Sequence, residues 1–105
     1  MSVKSQLRAC TDFLMVGMKA AERANSENSK QVVRKCMDYV ELLVRQAENV
    51  KAPEVEATLQ FVNREAAELQ ASDPAAGAVI AALRNAVGRL HALLAELKGG
   101  QVAPR

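Results

Sequence analysis

Apolar residues recur along this chain at alternating steps of three and four, the signature of helices with one greasy face. The pattern is sharpest from Val33 onward, where Val33, Cys36, Val40, Leu43, Ala47 and Val50 fall on a single side. Tyr39, Val32, Met37 and Val44 widen that stripe, and a stripe so broad needs more than one neighbour to leave water. The segment therefore reads as a helix within a bundle. Upstream, Val3, Leu7, Cys10, Leu14, Met18 and Ala21 form the same kind of stripe, extended by Phe13, Val16, Ala20 and Ala24. They predict a first helix from about Ser2 to Ala24. Gly17 interrupts it and is expected to mark a close helix crossing.

Breakers divide the rest of the chain. Asn25 to Ser29 is polar, and Asn28 or Ser29 is the expected cap of a second helix that runs to about Val50. Lys51-Ala52-Pro53 ends that helix abruptly, because proline fits only the first turn of a new one. A third helix is predicted from about Pro53 to Ala71, with Val55, Leu59, Val62, Ala66 and Leu69 as its seam. Ser72-Asp73-Pro74 reads as an aspartate cap with proline at the first helical position. In the fourth helix Ile80, Leu83, Val87, Leu90, Leu94 and Leu97 repeat at heptad spacing, with Gly99-Gly100 as the stop. Four helices with short connections predict an all-α, up-down-up-down four-helix bundle over residues 1–100, followed by a loose tail at 101–105. The alternative is a three-helix bundle with a projecting fourth helix that pairs with another copy.

Composition narrows the function classes. A chain of 105 residues suffices for one core. Fourteen basic against twelve acidic residues leave a charge of +2, too weak a field for nucleic acid. Trp is absent and Tyr39, Phe13 and Phe61 are the only aromatics, so there is no base-stacking platform. The apolar runs are short and interrupted by charge, which predicts no membrane span, no export signal and a cytoplasmic protein. Cys10 and Cys36, both on inward faces, are then expected as buried thiols. Helix three carries four acidic residues and one basic, helix two five basic and three acidic, so the pair should complement each other.

Catalytic or metal chemistry needs several groups converging, and none can be nominated. His91 is the single histidine and falls beside Arg84 at the edge of the helix-four stripe, as expected of a half-exposed structural residue. No phosphate-binding glycine loop or nucleophile elbow is present. The expectation is a non-enzyme with no cofactor. What remains is surface: Met15 sits among Lys19, Glu22 and Asp12, and Leu42 among Lys35, Asp38 and Arg45, as large apolar residues on charged faces. Phe61 lies off its own seam between Thr58 and Glu65. Met15, Leu42, Arg45 and Phe61 are therefore the candidate partner-binding residues, with Met15 and Leu42 expected in one patch.

Helices two and three carry Cys36-Met37-Asp38-Tyr39 and, after the break at Pro53, Leu59-Gln60-Phe61-Val62-Asn63. In order and separation this resembles the GAT domain, the three-helix bundle of clathrin adaptors, over about residues 7–71. Arg64 departs from the acidic residue usual after that asparagine, and the fourth helix lies outside the family's bundle. The resemblance implies a protein partner, ubiquitin or a sorting protein, met through residues such as Met15 and Leu42. The competing expectation is a self-associating assembly subunit with helix four at the interface of a homo-oligomer.

Overall fold

Ser2 begins the first helix: its Oγ accepts a hydrogen bond from the Ser5 amide at 3.0 Å, satisfying one of the free donors of the first turn. In the computed structural model, which describes residues 2–101, helix α1 spans Val3–Arg23, α2 Glu27–Arg45, α3 Ala52–Ser72 and α4 Gly77–Gln101. No strand occurs among the described residues. Asn25 takes a left-handed conformation, φ 54°, which asparagine tolerates better than most residues, and this reverses the chain after α1.

The caps differ from those expected. Ser26, rather than Asn28 or Ser29, caps α2, its Oγ accepting from the Ser29 amide at 3.1 Å. Ser29 is thereby drawn into the first turn and fully buried. Helix α2 stops at Arg45, short of Val50; a 3-10 turn, Ala47–Asn49, follows. Val50 still reaches the core, but from an extended residue, φ −67° and ψ 133°, that turns the chain into α3. There Glu54 Oε1 accepts from the Lys51 amide at 3.0 Å, a reciprocal brace on the first turn.

Asp73 does not cap α4. It ends α3, its amide donating to the Leu69 carbonyl. Its carbonyl accepts from Ala76, so Asp73-Pro74-Ala75 spans a turn and α4 starts later, at Gly77. At its other end α4 runs through Gly99 and Gly100 to Gln101, since glycine weakens a helix without forbidding it. Gln101 is thus helical rather than the first residue of a tail, and residues 102–105 lie outside those described.

The helices pack as an antiparallel ring, α1 against α2, α2 against α3, α3 against α4, and α4 back against α1. Cross-helix contacts fix the directions: Gln6 Nε2 donates to Glu96 Oε2 at 3.2 Å near one end, and a Cβ on Gly17 would meet Ala82 near the other. This is the up-down-up-down bundle, with the fourth helix inside it and not projecting. The ring measures 49 × 24 × 18 Å. Leu7, Cys10 and Leu14 of α1, Val33, Cys36 and Val40 of α2, Val55 and Val62 of α3, and Leu83, Leu90 and Leu93 of α4 meet at its axis. Each such large side chain contributes roughly 1.5–3 kcal/mol when buried, so the axis is where the fold is held. The leucine seam of α4 is occupied by this chain's own α1 and α3. Gly77–Gly99 is long and apolar enough to cross a membrane, and half of it is buried in the bundle.

Candidate functional site

Around Gly17, α1 packs tightly against α4, while its rim toward α2 is open at the methionines. Toward α4, small residues bring the backbones together: a Cβ on Gly17 would lie 3.0 Å from Ala82 Cβ. Toward α2, the outer rim of the contact is made by methionines. Met15, Met18 and Met37 line an open groove of about 330 Å³, rimmed by Lys19, Glu22, Arg34, Asp38 and Glu41. Met15 keeps 48% of its surface exposed, while Met18 and Met37 are half-buried against the core. Methionine is unbranched with a polarizable sulfur, and it adapts to whatever surface is laid over it.

A second recess lies on the other flank of α2, lined by Tyr39, Leu42, Leu43, Gln46, Glu54 and Thr58. Leu42 is 54% exposed there. Phe61 is half-buried beneath Tyr39, the two rings stacked with centroids 4.0 Å apart and 8° between planes. Arg45 belongs to neither groove; it is exposed, 3.9 Å from Glu41 Oε2 one turn back along its own helix.

Met15 and Leu42 are therefore exposed as the periodicity implied, and they line different recesses, one on each flank of α2. Two residues read as core are corrected: Tyr39 is 42% exposed because it turns outward onto Phe61, and Val16 is 59% exposed on the flank of α1. Met18 and Met37, on the predicted inward stripes, fall at the rim of those stripes and line the groove. Their signal was residue type: three of the four methionines in the chain line one groove.

The remaining polar groups serve the fold. Cys10 and Cys36 are free and buried, and burial pushes each thiol up to about 12. Such thiols stay protonated and are poor nucleophiles. Cys10 Sγ donates weakly to the Ala86 carbonyl at 3.6 Å. Lys35 Nζ and Glu65 Oε1, 3.8 Å apart, form the ion pair across the α2–α3 hairpin. His91 is exposed rather than half-buried, and Arg84 beside it donates to Gln70 Oε1 at 2.8 Å. Among the described residues no group of His, Cys, Asp and Glu is placed to hold a metal. At the end of the bundle that holds the α1–α2 turn, an alanine-walled recess of about 280 Å³ reaches Ser29, whose Oγ has no hydrogen-bond partner among the described residues. Ser29 is fully buried at the back of that recess.

The fold and the grooves define a class, an antiparallel four-helix bundle with an open, methionine-lined cleft between its first two helices. No family model, curated protein or solved structure matches this chain.

Proposed function

We propose that this chain is a non-catalytic protein-interaction module that presents the α1–α2 groove to a protein partner. One observation carries the reading: Met15 lies outside the core and Met18 and Met37 only partly in it, and the three line a cleft with charged rims. Flexible thioethers in an open groove suit a partner surface better than they suit packing. The adaptor resemblance agrees on the class of function and adds ubiquitin or a sorting protein as the partner to try first. The cytoplasm is the compartment where two free thiols persist.

The test compares proteins retained by the immobilised wild-type chain, by Met15→Asp combined with Met37→Gln, and by Arg64→Asp on the exposed side of α3. A partner retained by wild type and Arg64→Asp but lost by the groove variant, with melting temperatures within a few degrees, supports the reading. Retention of the same proteins by all three would sink it. Labelled ubiquitin added to the wild type is a separate arm: saturable signal changes at the groove favour the adaptor partner.

Self-association through α4 is the second reading. The leucine seam is spent inside the bundle, so it rests on the outward Ala81, Gly88 and Ala95, which are exposed and uncharged. Light scattering across concentration tests it, a constant monomer mass removing it.

A further inference from the structure

Tyr39 and Leu42 are the two large apolar residues that α2 leaves exposed, at 42% and 54%, one turn apart. Both border the α2–α3 recess, of about 180 Å³, with buried Leu43 and Thr58 behind them. The charges on either side of Leu42 are ordered. Asp38 lies four residues before it and Arg45 three after it, both exposed. Seven residues make almost two full turns, so Asp38 and Arg45 fall within about 20° of each other round the helix, on one stripe with Leu42 between them. They stand about 6 Å and about 4.5 Å from Leu42 along the axis, in opposite directions.

A stripe that reads acid, leucine, base is complementary to itself when reversed. With a second copy's α2 laid antiparallel, Leu42 over Leu42, each Asp38 comes level with the other copy's Arg45 and each Tyr39 with the other copy's Gln46. Further out, Lys35 comes level with Glu48. Glu41 lies off the stripe, toward the methionine groove. The charges select this register. Moving the crossing two residues toward the start of α2 sets Lys35 against Arg45, and moving it three residues the other way sets Arg45 on Arg45. An unrelated partner gives no reason for opposite charges to stand nearly evenly about one exposed leucine, whereas a two-fold axis does, because every contact in it occurs twice.

We infer that the α2–α3 flank is the interface of a weak homodimer, in which two copies cross antiparallel at Leu42 and each Asp38 pairs with the other copy's Arg45. Leu42 of each copy lies at the mouth of the other's α2–α3 recess. The patch spans about three turns of α2, less than a stable dimer buries, so the dimer forms only at concentrations of about 0.1 mM and above. The methionine groove is on the other flank of α2 and stays open in it. The dimer and the partner reading above therefore stand or fall separately.

Sedimentation equilibrium of the full chain over about 0.01–1 mM tests this, the mass rising from one copy toward two. Leu42→Asp should raise the dissociation constant by about tenfold or more, since it puts two carboxylates at the centre of the contact. Asp38→Arg and Arg45→Asp each turn two opposite-charge pairs into like-charge pairs, and each alone should weaken association roughly tenfold. Mixed in equal amounts, the two variants restore every pair in a heterodimer, and association should return to the wild-type level. Circular dichroism separates these effects from unfolding, and the two charge variants carry the test if Leu42→Asp disturbs the fold. A mass of one copy at every concentration would overturn the proposal. So would a dimer indifferent to Leu42→Asp in the folded chain, which places the contact elsewhere, on α4 for instance. Single charge variants that associate as the wild type does, or a mixture that associates no better than its components, would refute the antiparallel crossing.

Discussion

The two flanks of α1 are built from opposite materials. On the α4 side, Gly17 and Ala82 remove side-chain volume so that the helices approach closely, and Cys10 and Leu14 are sealed behind them. On the α2 side, Met15, Met18 and Met37 line an open cleft at the rim. Small residues remove surface from water completely but can accept nothing new. Long flexible ones leave some apolar area exposed and stay adaptable. Stability and recognition are thus assigned to different sides of one helix, and substitutions on the two sides should have effects of different size and kind.

The largest effect belongs to the sealed side. Leu90 of α4 is fully buried, and Leu90→Asp would place a carboxylate there with no partner, a penalty of several kcal/mol. Loss of the helical circular dichroism signal at 25 °C is expected. A folded monomer carrying this substitution would mean that α4 is peripheral and that the ring is not closed by it.

Gly17→Val should rank next. A Cβ at position 17 already meets Ala82 Cβ at 3.0 Å and Val33 at 3.6 Å, and Ala82 has no rotamer by which to retreat. Overpacking of this kind costs about 2–3 kcal/mol. Gly17→Ala should destabilise less than valine, because its Cβ makes the same 3.0 Å contact with Ala82 and the gain in helix propensity, about 1 kcal/mol, offsets only part of it. Urea denaturation of the pair would measure the tightness of the α1–α4 crossing, and equal stability of Val and Ala variants would show that it is loose.

The thiols extend the contrast to pH. Cys10 and Cys36 have their folded values raised by burial from 9.0 to about 12, with Glu65 a further contributor at Cys36. Below pH 9 both states hold the proton and the thiols leave stability unchanged with pH. Above it the unfolded chain ionises while the folded one does not, so stability falls as pH rises from about 9 toward 12, by about 1.4 kcal/mol per thiol at pH 10. Replacing both by alanine lowers overall stability but should flatten that alkaline slope. An unchanged slope would show that the thiols are solvated in the folded state.

Most of this architecture was legible in the chain because burial follows periodicity. The inward faces named from Leu7, Cys10 and Leu14, from Val33, Cys36 and Val40, and from Leu83 and Leu90 are the ones that meet at the axis. Helix ends were less legible, since several polar residues compete for each cap and only the backbone path decides among them. Ser26 rather than Ser29 caps α2 for this reason, and α4 starts after Asp73-Pro74 rather than on it. The groove was the least legible, because periodicity measures direction from one helix axis and says nothing of the distance to the next. It gave the exposure of Met15 and Leu42 but not that they line different recesses. Nor could it tell that Met18 and Met37, at the margins of their stripes, reach the surface.

The smallest stability effect is expected at Leu42, and it tests whether the two flanks of α2 are separate. Leu42 is 54% exposed and lines the α2–α3 recess beside Tyr39, so Leu42→Asp exposes a charge to water and removes little packing. Thermal unfolding should move by less than about 0.5 kcal/mol, the usual range for surface substitutions. Because Leu42 lies across α2 from Met37, the same substitution should leave the methionine methyl signals and any binding in the α1–α2 groove unchanged, whereas Met15→Asp should perturb both. If Leu42→Asp unfolds the chain, Leu42 is buried by a contact that this monomer does not contain, and an assembly through the α2–α3 flank takes precedence. If it instead abolishes binding in the groove without unfolding, the two flanks form one continuous interface wrapped around α2.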